Sequence, residues 1–145
     1  MSVDPRTLGW LSRALTHEMS AVQQYLAQSV LARLWGDEAL ATKLRKEADE
    51  ELEHAERLMQ RLIQFGVAPS SGNLPPSRLG RSAQDLLAAD HVLEIDAVRL
   101  YREAIAHAER MRDPETAALF DSILSEEIAH VHELDGMMNE QVEHG

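Results

Sequence analysis

Apolar residues in this chain recur at three- and four-residue intervals in four separate stretches, the spacing of one helical face, and no stretch alternates as a half-buried strand would. The first stretch, Leu8, Leu11, Leu15, Val22 and Leu26, runs to Trp35, where Gly36 stops it; Asp4-Pro5 opens it with an N-cap and a proline at the first helical position. Asp37-Glu38 caps a second, whose Leu40, Leu44, Leu58, Leu62 and Phe65 end at Gly66. Ser82-x-x-Asp85 signals the start of a third, with Leu86, Leu87, Val98 and Ile105, which ends at Arg112. Asp113-Pro114-Glu115 repeats the cap-plus-proline device and opens a fourth with Phe120, Ile123, Leu134 and Met137, after which the polar tail 139–145 is expected to fray. Residues 66–81 hold three prolines and three glycines without periodicity. Short turns make two antiparallel hairpins, and the long middle segment can cross the length of the bundle between them. The expected fold is all-α: one four-helix-bundle domain over 1–145 with a single long crossover between the second and third helices.

Polar residues interrupt each buried stripe near its middle. The stripe 11, 15, 18, 22, 25 passes through Glu18 and ends at Tyr25; 40, 44, 47, 51, 54, 58, 62 passes through Glu47, Glu51 and His54. The third, 87, 91, 94, 98, 101, carries His91 and Glu94, and the fourth, 120, 123, 127, 130, 134, carries Glu127 and His130. An unpaired buried carboxylate costs on the order of several kcal/mol, so a cationic partner is expected between the helices.

An internal repeat reinforces this. Glu18 and Glu51 are 33 residues apart, as are Glu94 and Glu127, and 76 residues separate both Glu18 from Glu94 and His54 from His130. The local sequences agree as well: Glu18-x-x-Ala21-Val22-x-x-Tyr25 matches Glu94-x-x-Ala97-Val98-x-x-Tyr101, and Glu50-Glu51-Leu52-x-His54 matches Glu126-Glu127-Ile128-x-His130. The hairpins are copies in register, which implies a pseudo-twofold axis. Glutamate and histidine three apart on a helix share a face and can reach one metal. Two such motifs with two single glutamates form the donor set of a carboxylate-bridged dinuclear site in ferritin-like bundles. Four carboxylates and two neutral imidazoles carry −4, which two divalent cations cancel.

Composition narrows the chemistry. With 14 Lys+Arg against 25 Asp+Glu the net charge is −11, which repels nucleic acid and anionic lipid and attracts cations. No cysteine is present, so thiolate metal sites, Fe–S clusters and cysteine nucleophiles are excluded and any metal is held by oxygen and imidazole. No apolar run is long enough to span a membrane, and the start lacks the order of a secretory signal, so a cytoplasmic protein is expected.

Glu18, Glu51-x-x-His54, Glu94 and Glu127-x-x-His130, with Tyr25 and Trp35, resemble the bacterioferritin family over nearly the whole chain. The resemblance implies a ferroxidase centre of two Fe ions per chain that oxidises Fe2+ with O2 or H2O2 for iron storage or detoxification. It also implies that Glu51 and Glu127 bridge the irons, with Glu18 and His54, and Glu94 and His130, as terminal ligands. Carboxylate and imidazole donors also suit Mn, and Zn or other divalent metals can substitute in vitro.

Three departures from the family matter. The haem-ligand methionine is replaced by Leu52, which has no donor atom, so haem is not expected; Met19 on the neighbouring helix is the alternative thioether. Lys46 stands where the family often carries a cavity-lining histidine, with Glu50 as the acid beside it. The sequence stops at Gly145, where the family continues into a fifth helix, which leaves a dimer, a smaller shell or a 24-mer open. A homo-oligomer of at least two chains is expected.

Further residues carry weaker expectations. Tyr25 and Tyr101 can hydrogen-bond ligands, with Tyr25 the stronger candidate for a functional role. Glu50 and Glu126 can hold the non-ligating nitrogens of His130 and His54. His17, His91, His107, His132 and His144 read as surface or satisfied polar groups, with His91 the exception to watch. Two other functions compete with the ferroxidase: a dinuclear Fe or Mn redox enzyme without mineral storage, and a metal-free helical interaction module, whose melting temperature would ignore added divalent metal.

Overall fold

The computed structural model describes residues 3–144, with side chains as far as Glu140. It contains four helices: α1 (Pro5–Leu34), α2 (Glu38–Gln64), α3 (Ala83–Arg110) and α4 (Pro114–His144). No strand occurs among the described residues. Each of α1 to α4 starts where a side chain caps its first free amides. Asp4 accepts from the Thr7 amide at 3.2 Å, Asp37 from Leu40 at 3.1 Å, Ser82 from Asp85 at 3.2 Å and Asp113 from Thr116 at 3.1 Å. Asp85 in turn accepts the amide of Arg81, the residue before the cap, at 2.8 Å, which ties the end of the crossover to the first turn of α3.

The two hairpin turns are related by the same 76-residue repeat. Gly36 has φ +82°, and Arg112, its counterpart, has φ 56°, so a left-handed residue that glycine adopts freely is forced on arginine in the second turn. The fourth helix takes in the polar segment beyond Met138, its range reaching His144.

Between α2 and α3 the crossover runs without regular structure and is fastened to α1 by amide side chains. Gln23 and Gln28 donate to the carbonyls of Pro75 and Arg78, each at 2.9 Å, and the Arg78 amide donates to Gln24 Oε1 at 3.4 Å. Those bonds satisfy a backbone that has no helix to satisfy it.

Inside the bundle the apolar core falls into two clusters. One holds Leu11, Leu15, Leu58, Leu62, Tyr101, Phe120 and Ile123; the other holds Tyr25, Leu40, Leu44, Ala48 and Leu86. Between them lies a layer of buried acids and imidazoles.

Candidate metal centre

Six residues form this layer. Glu18 comes from α1, Glu51 and His54 from α2, Glu94 from α3, Glu127 and His130 from α4, and none is more than 6% exposed. Helical geometry explains the convergence: each stripe that packs the bundle carries these groups at mid-height, so burying the stripe buries them. Ligand atoms of Glu18, Glu51, His54 and Glu127 lie within 4.8 Å of one another, and so do those of Glu51, Glu94, Glu127 and His130. Glu51 and Glu127 belong to both sets. Two positions sharing two carboxylates therefore stand side by side, each with one further glutamate and one histidine.

The facing atoms have no partners. Glu18 Oε2, both oxygens of Glu51 and Glu127, Glu94 Oε2 and the Nδ1 atoms of His54 and His130 are buried without a hydrogen bond among the described residues. His54 Nδ1 stands 3.5, 3.4 and 3.2 Å from oxygens of Glu18, Glu51 and Glu127; His130 Nδ1 stands 3.0, 3.6 and 3.3 Å from Glu51, Glu94 and Glu127. Two donors each about 2.1 Å from one ion and roughly at right angles lie about 3 Å apart, so these separations suit neighbouring ligands of a common cation.

The atoms facing away are held. Tyr25 donates to Glu94 Oε1 at 2.8 Å and Tyr101 to Glu18 Oε1 at 2.6 Å, each crossing between α1 and α3. Tyr101 thus does for Glu18 what Tyr25 does for Glu94, although the sequence favours Tyr25. His130 Nε2 donates to Glu50 at 2.7 Å, and His54 Nε2 lies 3.4 Å from Glu126, which Arg57 also binds. Such pairing directs Nδ1 of each ring inward, where it becomes a free lone pair once its proton is displaced.

The metal-free centre is charged in an unusual way. Burial first, then the charges of Glu18, Glu127 and Glu94, push Glu51 well above the ordinary carboxylate range. Burial and Glu127 do the same to Glu94. Burial works to lower both histidines, but Glu127 and Glu18 lift His54 to about 10, and Glu127 and Glu94 lift His130 to about 12. Glu127, against its own burial, is held well below the usual range by the neighbouring imidazoles of His130 and His54. Protons therefore occupy the electrostatic place of cations, and binding a divalent ion must release them.

Other predicted residues fall outside the cluster. His91 is half-buried and lies 3.0 Å from Asp135, and His107 is buried within reach of Thr7 and Asp4. His17 is less satisfied than expected, since its Nε2 is buried without a partner. The side chain of His144 lies outside the described residues. Glu47 is buried, 3.5 Å from His130 Nε2. Leu52 is 40% exposed on α2.

Asp90 is the acid that stripe reading missed. Fully buried, it accepts from Gln24 at 2.9 Å, and burial raises its carboxyl to about 7 against the pull of the Gln24 and Gln28 amides. The steps 87, 90, 94 and 87, 91, 94 fit a helical period equally well; the structure buries the first. An acid four residues before Glu94 was the available signal.

Comparison with known proteins agrees with this geometry. The ferritin-like domain family matches residues 9–142. Bacterioferritin from Brucella melitensis is 33% identical over 139 residues, covering 96% of this chain and 86% of its relative. Bacterioferritin from Rhodobacter capsulatus is 32% identical over 135 residues, with 93% and 84% covered. A solved structure of the Rhodobacter capsulatus protein, described with a metal-free dinuclear site and a haem iron, superposes with a TM-score of 0.96 at 30% identity, covering 100% of this chain and 91% of that one. On the family match across the bundle and identities of 30% and above over nearly its full length, the chain belongs to the bacterioferritin family of ferritin-like proteins.

Proposed function

We propose that this chain is a ferroxidase of iron storage in which Glu18, Glu51, His54, Glu94, Glu127 and His130 hold two Fe2+ ions for oxidation by O2 or H2O2. One observation carries the reading: buried, unpartnered carboxylate oxygens and imidazole nitrogens from four helices meet in two four-residue sets that share Glu51 and Glu127. A set so costly to bury without cations fits the hard-to-intermediate donor preference of Fe2+, and of Mn2+ as a second choice. The dinuclear site named for the Rhodobacter capsulatus relative supports the same stoichiometry.

Each Fe2+ gives up one electron, so a pair supplies the two that convert O2 and two protons to H2O2, or H2O2 and two protons to two waters. The chain's residues set the stage for this. Glu51 and Glu127 span both positions, Glu18 with His54 and Glu94 with His130 close their outer sides, and Tyr25 and Tyr101 fix the outer glutamates. The flanking apolar clusters keep the layer dry. Protons displaced from Glu51, Glu94 and the imidazoles as iron binds are available to the reduced oxidant.

The chain works as a homo-oligomer of at least two copies, supported by the exposed Leu26, Val30 and Leu34 in the C-terminal half of α1, Trp35 at its cap, and Leu52 and Ile63 of α2. Leu52 offers a haem iron no donor, so purified protein is expected without a Soret band. No helix of the chain is long and apolar enough to cross a membrane. Anaerobic Fe2+ titration followed by oxygen, with native mass spectrometry on the same sample, tests the reading. Two Fe2+ per chain and rapid ferric absorption are expected, both lost in Glu94→Ala and His130→Ala; unchanged kinetics in both variants would refute it. Peroxide turnover without retained ferric iron would favour the dinuclear redox enzyme.

A further inference from the structure

The 76-residue repeat maps ligand onto ligand but does not map their surroundings. Glu47 reaches within 3.5 Å of His130 Nε2 and keeps a buried Oε2 without a partner; its counterpart beside His54 is Ile123. Glu50 and Glu126 are counterparts, each beside the outer nitrogen of a histidine, but Glu126 is bound by Arg57, whereas Arg57's counterpart is Glu133. Neither Glu47 nor Glu50 has a lysine or arginine within ion-pair distance among the described residues; Lys43, the nearest basic partner on this side, pairs with Glu133 at 3.6 Å. Asp90, one turn before Glu94, has Ala14 as its counterpart.

The consequence is electrostatic. Beyond the ligands, the Glu18–His54 position has one carboxylate and a guanidinium that cancels it. The Glu94–His130 position has Glu47 and Glu50, which pair with no lysine or arginine and touch only the ligand His130, and Asp90 behind. Charge at this range inside a low-dielectric bundle is screened little by salt, so it discriminates between otherwise matching positions. Glu47, Glu50 and His130 also lie within 4.8 Å of one another, which continues the anionic surface from half-exposed Glu50 to the buried layer.

We propose that the two positions fill in a set order, the Glu94–His130 position before the Glu18–His54 position, with Glu47 as the residue that sets the order. This rests on the metal centre proposed above. Glu47 acts through the field it places on the first cation, and is a positioning residue.

Anaerobic titration of the full-length, metal-free protein with Co2+, read by ligand-field absorption and calorimetry, tests it without iron oxidation. Wild type is expected to bind two equivalents in steps separated by about tenfold or more in affinity. His130→Ala should remove the tight step and His54→Ala the weak one. At pH 8, where Glu47 is largely ionised, Glu47→Gln, which keeps shape and removes charge, should weaken the tight step by about tenfold and leave the weak one in place. Crystals of wild type loaded with one Co2+ per chain should show anomalous density at the His130 position, a readout that needs no variant to fold. Equal affinities, a tight step that survives in His130→Ala, or density first at His54 would overturn the order while leaving the dinuclear centre standing. Failure to bind Co2+ at all would overturn the centre and the order with it.

Discussion

Two polar regions of this bundle, one partly exposed at its end and one buried at its centre, make opposite use of similar side chains. At one end, Arg61 donates to Thr116 at 3.0 Å, Glu115 at 3.1 Å and Asp113 at 3.3 Å, while Thr116 donates to Asp113 at 2.6 Å and His107 sits within reach of Asp4 and Thr7. None of these polar side chains carries a buried atom lacking a partner. The Asp113 carboxyl, despite some burial, is held below its ordinary value by Thr116 and Arg61. In the central layer, by contrast, the inward atoms of six residues are unpartnered and Glu51 and Glu94 are driven up. A closed network stabilises a fold by itself, whereas an open one is a cost that only a ligand offsets.

Exchanging one residue in each region breaks or sharpens that contrast, and the largest effect is expected from Glu51→Gln. Gln keeps the shape of a residue shared by both metal positions but not its charge. Ferrous oxidation should fall by at least about 100-fold, more than supporting residues around metal sites usually cost. Metal-free stability at pH 7 should hold or rise, because an uncompensated buried acid is gone. A large loss of metal-free melting temperature would mean that the central layer is structural after all.

Asp90 lies between the two extremes, with one oxygen bonded by Gln24 and the other unpartnered. Its folded pKa is raised from 3.8 to about 7 by burial, so the stability it contributes is fully present below about pH 4 and is lost as pH rises through 7. Between pH 4 and pH 8 the metal-free wild type should lose up to about 4 kcal/mol more than Asp90→Asn. Glu47, raised to about 7 chiefly by burial, bends both curves in the same direction. The raised histidines begin to lose their own contribution above about pH 6.5, but they do so in both proteins and cancel in the difference. Parallel denaturation curves across this window would show that Asp90 is ionised throughout.

Most of this was legible in the sequence, and what was not has physical reasons. Cap residues Asp4, Asp37, Ser82 and Asp113 marked helix starts because they act on amides three residues away, a local interaction. The six central residues were legible because they are acids and imidazoles on stripes where packing alone demands leucine. Asp90 was not, since one helical turn accommodates position 90 or 91 and only the neighbouring helix decides. Equal placement of Tyr101 and Tyr25 depends on contacts between α1 and α3, residues 83 and 69 apart in the chain, which periodicity does not report. The asymmetry around His54 and His130 comes from residues that differ between the repeats, such as Glu47 against Ile123 and Arg57 against Glu133, while similarity had drawn attention to those that agree.

The satisfied end supplies the converse test. Arg61→Ala removes bonds to four side chains, Thr116, Gln64, Glu115 and Asp113, and the loss should be roughly 1–3 kcal/mol of stability with ferrous oxidation unchanged. Together with Glu51→Gln this gives a double dissociation: one variant loses activity and keeps its fold, the other weakens its fold and keeps activity. Slowed oxidation in folded Arg61→Ala would couple the regions and dissolve the distinction between them.

The smallest effect is expected where the two kinds of region meet, at the tyrosines. Tyr25 and Tyr101 are buried, and each spends its hydroxyl on the outer oxygen of a glutamate whose inner oxygen is free. Burial, reinforced by those glutamates, raises both phenols well above 10, so they remain protonated donors through the neutral range. Phenylalanine at either position keeps the packing and deletes one hydrogen bond, worth about 1 kcal/mol. Oxidation should slow by a few-fold, since a glutamate held by one fewer contact samples orientations in which its free oxygen misses the cation. If the pseudo-twofold axis governs this part of the site, Tyr25→Phe and Tyr101→Phe will slow it to a similar extent. A loss in Tyr25→Phe at least tenfold greater than in Tyr101→Phe would instead give Tyr25 a role beyond holding Glu94, because the hydrogen-bond geometry of the two tyrosines is closely matched.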